Sequence, residues 1–103
     1  MLELMPELNE KFAAWSRAVF GEGVLDQKTK ELIGIAASLT AGCASCAEAH
    51  LLKARRFGAS DEEIREAVAI AEVIAAGKVR AMIQGLKSLA EQVSQERCDE
   101  MSA

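Results

Sequence analysis

Apolar positions along this chain recur at helical spacing. Leu8, Phe12, Trp15 and Val19 fall at i, i+4, i+7 and i+11, one face of a helix. Pro6 suits the first turn of that helix, because its missing N–H would have no partner there. Gly21-Glu22-Gly23 closes the segment. Asp26 is a good N-cap for a second helix with the stripe Leu32, Ile35, Ala36 and Leu39, and Gly42 fits the position that ends it. A third helix is expected from Cys43 through Phe57, closed by Gly58. Ser60 and Glu63 make a capping box ahead of Ile64, Ala67, Val68 and Ala71. This fourth helix is expected to end near Ala76, with Gly77 interrupting the pattern. Val79, Met82, Ile83, Leu86, Leu89 and Val93 then form a fifth stripe. From Arg97 the chain turns polar, and residues 97–103 are expected to fray. No strand-like alternation, repeat or linker interrupts the series. The pattern predicts an all-α fold: one domain over residues 1–103, a compact bundle of about five helices with its core in about 8–90.

Composition adds a constraint on packing. Half of the 103 residues are apolar, yet only 4% are aromatic and 19 are alanine, so the core is rich in number and poor in volume. Such helices approach closely, and a domain of this size buries a modest fraction of its surface. Association with copies of itself is therefore expected. Twelve basic and sixteen acidic side chains leave a net charge of −4, and the one basic dipeptide, Arg55-Arg56, is too little to neutralise phosphates. Nucleic acid is not an expected partner. The first residues, Met1 to Met5, lack the basic start and apolar run of a secretory signal. The longest uncharged stretch, Leu32 to Ala47, is too short to span a bilayer. The expectation is a soluble, cytoplasmic protein without a membrane partner. In that compartment three cysteines point to catalysis or metal binding and not to a disulfide framework.

The chemistry concentrates in Cys43-Ala-Ser-Cys46-Ala-Glu-Ala-His50. At about 100° per residue, Cys43, Cys46 and His50 fall within roughly 60° of arc, so both thiols and the single histidine are expected on one side. Cys43 and Cys46 are close enough for a small disulfide ring, and His50 lies one turn beyond Cys46, within reach for proton transfer. Gly42 places the pair at a helix N-terminus, where the macrodipole favours a thiolate, the nucleophile of disulfide exchange and peroxide reduction. Two other readings fit the same residues. They can be inert cysteines, as in an oligomeric interaction module without turnover, or they can hold zinc, with Glu31 or Cys98 as fourth ligand. No second C-x-x-C or H-x-H cluster completes a structural zinc spacing.

Lys30-Glu31-Leu32-Ile33, with Glu31 twelve positions before Cys43, followed by C-x-x-C-x-x-x-H, resembles the signature of the AhpD-like alkylhydroperoxidases of the carboxymuconolactone decarboxylase family. Gly58 to Ile64 also resembles that family's turn into its next helix, and the likeness covers roughly residues 8 to 90. It implies an AhpD-like helical domain acting as a thiol-dependent antioxidant peroxidase or disulfide oxidoreductase. In that scheme Cys46 attacks peroxide, Cys43 resolves the sulfenic acid to a disulfide, and His50 and Glu31 relay protons. It further implies a small peroxide substrate, a dithiol electron-donor protein, no bound cofactor or metal, and a symmetric homo-oligomer, a hexamer or trimer. Helix-dipole reasoning alone favours Cys43 as the activated thiol, whereas a base one turn away favours Cys46.

The sequence departs from the family where some members carry a histidine just before the second cysteine. Ser45 stands there, and a hydroxyl is no base near neutral pH. The chain also has one helical unit where the best-known peroxidases have two related halves. The decarboxylase branch fits poorly, since its chemistry uses no C-x-x-C pair. Phe12, Trp15, Phe20 and Phe57 are expected in the core or at subunit contacts, with Met82 filling a gap. Cys98 is expected to be incidental, and Asp61, Glu62, Glu63 and Glu66 to form a solvated helix start.

Overall fold

In a computed structural model, residues 5–102 are described. Residues 1–4, most of the N-terminal stretch read above for a secretory signal, and Ala103 lie outside them. Four helices follow one another: α1 (Pro6–Phe20), α2 (Gln27–Ala41), α3 (Ala44–Arg56) and α4 (Asp61–Ser102). The fold is all-helical, and the local signals act where the sequence places them. Pro6 opens α1. The Asp26 carboxylate accepts the Thr29 N–H at 2.7 Å and caps α2. Gly42, at φ 77°, and the Cys43 N–H, donating to the Ser38 carbonyl at 2.9 Å, close α2 with a left-handed turn that a side chain would strain. Ser60 and Glu63 cap α4 reciprocally, each side chain taking the other's backbone N–H.

The expected break at Gly77 does not occur. The fourth and fifth stripes belong to one 42-residue helix, because a lone glycine costs only about 1 kcal/mol in a helix interior, too little to stop one flanked by good helix formers. The helix also continues through 97–102, where the polar composition led us to expect fraying.

The bundle is not compact. Its radius of gyration is 21.6 Å, against about 13 Å for a closely packed chain of this length. α2 packs on α3 and on the first part of α4, while α1 touches little besides α2. The core is Ile35, Ala54 and Ala59, with Leu32, Ile64 and Val68 against it, and Ala67 and Ala71 are buried nearby. The buried residues therefore lie between 31 and 71. Leu8, Phe12, Trp15 and Val19 are exposed, Trp15 by 67%, and so is the α4 stripe from Val79 to Val93. The periodicity correctly marks apolar faces, but nothing among the described residues covers them. Among the described residues no helix is long and apolar enough to cross a membrane.

Candidate active site

Cys43 is the N-cap of α3, with extended backbone at φ −106° and ψ 91°, so it stands just outside the helix it was expected to share with Cys46. Its placement depends on the tight turn at Gly42, which sends the chain from the end of α2 into the start of α3. The two cysteines form a disulfide with Cα atoms 5.3 Å apart. The Cys46 N–H donates to Cys43 Sγ at 3.3 Å, satisfying one of the first-turn amides of α3. Ser45 Oγ lies 3.7 Å from the same sulfur. Ser45, the residue just before Cys46, thus presents a hydroxyl to the pair. Cys46 is exposed and Cys43 is partly buried, so a reagent from solvent meets Cys46 more freely.

One turn further along α3, His50 turns inward. Its Nδ1 lies 2.6 Å from Glu31 Oε2 on α2. Glu31 is 2% exposed, the most deeply buried charged side chain among the described residues. A carboxylate so far from water needs a charge-assisted partner, and His50 provides it. The imidazole fits because residue 34, one helical turn after Glu31, is glycine: a Cβ there would lie 2.8 Å from His50 Cγ. On another side of the imidazole, Phe20 at the end of α1 stacks at 4.9 Å and 21°. Lys30 holds that end of α1 in place, its Nζ donating to the carbonyls of Val19 at 2.9 Å and Gly21 at 2.6 Å. α1 buries none of its own residues, so this clamp and the Phe20 stack are what tie it to the site.

Glu31 and His50 therefore meet, Cys43 and Cys46 meet, and the two pairs are joined through one turn of α3. Cys98 is remote from both. It is exposed near the far end of α4, about 40 Å along the helix from Ala71. Among the described residues no three histidine, cysteine or acidic side chains converge to hold a metal. Sequence reasoning missed the work of Gly34, Phe20 and Lys30. The spacing of Gly34, three residues after Glu31, was the one available signal.

Residues 6–87 match the model of the carboxymuconolactone decarboxylase family. Uncharacterized protein 4 in the cox locus of Paracoccus denitrificans is 40% identical over 74 residues, which is 72% of this chain and 67% of that one. A crystal structure of a protein from Methanobacterium thermoautotrophicum superposes with a TM-score of 0.73 at 34% identity, covering 82% of this chain and 98% of the other. A carboxymuconolactone decarboxylase family protein from Thermotoga maritima, for which a part in an antioxidative response has been suggested, superposes with a TM-score of 0.66 at 36% identity, covering 88% and 98%. With the family pattern matched over most of its length and a family structure superposing at 36% identity, the chain belongs to the carboxymuconolactone decarboxylase family as an AhpD-like member.

Proposed function

We propose that this protein is a thiol-dependent peroxidase. The observation that carries the reading is the Cys43–Cys46 disulfide one helical turn from the buried Glu31–His50 pair. In the reduced protein the Cys46 thiolate attacks one oxygen of a hydroperoxide. The O–O bond breaks, Cys46 becomes a sulfenic acid, and the departing alkoxide takes a proton delivered through His50, which leaves an alcohol. Cys43 then attacks the Cys46 sulfur. Water leaves and the disulfide forms, so the peroxide has gained the two electrons that the thiols lost. A dithiol protein returns the pair to thiols by exchange. Exposure of Cys46 supports its part as the attacking sulfur. The short bridge to Cys43 supports a resolving thiol held within reach. Glu31 orients the imidazole through Nδ1, leaving Nε2 for the proton.

The peroxidase works as a homo-oligomer, a hexamer or trimer, in the cytoplasm. The exposed faces of α1 and α4 support assembly, since contiguous apolar surface of this extent on one chain marks an interaction site.

Peroxide consumption with a dithiol donor tests the reading. Wild type should turn over, Cys46→Ser should be inactive, and Cys43→Ser should stop after one event with an oxygen added to Cys46, visible by mass spectrometry. Unchanged turnover in Cys46→Ser overturns it.

A further inference from the structure

At the opposite end of α3 from the disulfide, a cleft of about 490 Å³ opens between α1, α2 and the last turn of α3. That volume lies within the range of small-molecule sites, roughly 300–1,000 Å³. Arg17 from α1 and Lys53 and Arg56 from α3 surround it, Phe20 and Phe57 wall it, and Glu31 reaches its floor. We propose that this cleft binds a small organic carboxylate, its charged head held by Arg17, Lys53 and Arg56 and its apolar body lying between Phe20 and Phe57.

Charge argues first. The chain is acidic overall and has twelve basic residues, yet three of them converge here. None of the three has an ion-pair partner among the described residues, whereas Lys28 and Arg55 are both paired with carboxylates. Two charges of opposite sense are present. Glu31 is one, but it is almost wholly buried and directs Oε2 to His50. The C-terminus of α3 is the other, worth about half a charge, and its last carbonyls are already partly taken by the N–H groups of Phe57, Gly58 and Ala59. Three full cations outweigh both. A guanidinium is well matched to a carboxylate, which it can grip with two parallel hydrogen bonds.

The two phenylalanine rings argue for an organic ligand over a bare anion. They leave a wall that inorganic phosphate has no means to cover. Phe20 also links the cleft to the chemistry, because the same ring stacks on His50. A molecule seated against Phe20 therefore bears on the proton-handling pair. Binding does not require redox turnover, so this inference can fail while the peroxidase reading stands, and the reverse.

Octanoate, octanol and inorganic phosphate are titrated into the full chain in its oxidised form and followed by NMR. The signals to follow are the Arg17 and Arg56 side chains, the two phenylalanine rings and the ring of His50, the protein's one histidine. Octanoate should bind saturably and move all of these, with octanol and phosphate each about tenfold weaker or more. Arg56→Ala and Arg17→Ala should each weaken octanoate about tenfold and leave octanol unchanged. Both arginines are exposed, so the variants fold, and circular dichroism checks this. Octanol binding as tightly as octanoate, phosphate binding as tightly as octanoate, or octanoate affinity unaffected by both arginine variants would each overturn the proposal.

Discussion

Glu31 Oε2 lies 2.6 Å from His50 Nδ1, joining two helices across nineteen residues of sequence. On the proposed mechanism this bond sets the ring for proton transfer. Glu31→Gln retains the shape and removes the charge. Peroxidase kcat/KM should fall about 100-fold, the lower end of what a positioned acid–base group contributes. The melting temperature should move far less than activity does. Equal turnover by the variant in steady-state assays would remove Glu31 from the mechanism.

Two glycines on helices should respond to alanine with opposite signs. At Gly34 the new Cβ would lie 2.8 Å from His50 Cγ and 2.9 Å from Nδ1, so the imidazole must move. Gly34→Ala should destabilise by about 1–3 kcal/mol, as overpacking does, and abolish peroxide turnover. At Gly77 nothing lies within 4 Å. Gly77→Ala should stabilise by about 0.5–1 kcal/mol through helix propensity alone. Chemical denaturation measures both.

Acid should loosen the start of α4. The Ser60 backbone N–H, and then Lys28, hold the Glu63 carboxyl below its usual range. Arg55 does the same for Asp61. A carboxyl with a depressed folded-state value stabilises the fold above its unfolded value, about pH 4, and that contribution is lost as pH falls through the folded one. Thermal melts should therefore decline as pH drops below about 5, and Glu63→Gln should flatten part of that decline. At the alkaline end Glu63 raises Lys28, so the contribution of the Lys28–Glu63 pair fades as pH rises past the usual lysine value, about 10.4. An acid limb identical in Glu63→Gln and wild type would show that the capping box carries no pH dependence.

The apolar face of α4 should drive assembly. Leu86 and Leu89 are 65% and 55% exposed on the stripe. Leu86→Glu with Leu89→Glu should reduce the sedimenting species to a smaller one. Trp15, the one tryptophan, is exposed on α1 and meets Phe12 edge-on at 6.1 Å. If the α1 face is part of the interface, its emission should shift to longer wavelength on dissociation. A wild-type protein that sediments as a monomer would refute the assembly.

Much of the architecture could be read from short-range signals. Asp26, Gly42, Gly58 and the Ser60–Glu63 box act within four residues of themselves, so their effect needs no tertiary knowledge. Gly77 misled because a glycine's cost is small and its neighbours decide. The stripes of α1 and α4 were identified correctly as apolar, but periodicity says that a face seeks cover, not whether the same chain provides it. At the site, the C-x-x-C-x-x-x-H spacing located both sulfurs and His50. The Glu31 contact was reached only through resemblance, since no local pattern links residues so far apart. Arg17, Lys53 and Arg56 were not read together for the same reason: Arg56 stood out only as half of the Arg55-Arg56 dipeptide, and the fold is what sets Arg17 at the same cleft as the last turn of α3.

The small core between residues 31 and 71 carries a thermodynamic corollary. Ala54, Ala59, Ala67 and Ala71 supply most of its members, and alanine withdraws little surface from water. Where the larger apolar faces are covered only by other copies, the chain's own abundance becomes a variable of state. Folding and association then share one equilibrium, and the melting temperature rises with protein concentration. Dilution, with no change of temperature or solvent, acts on such a molecule as a denaturant.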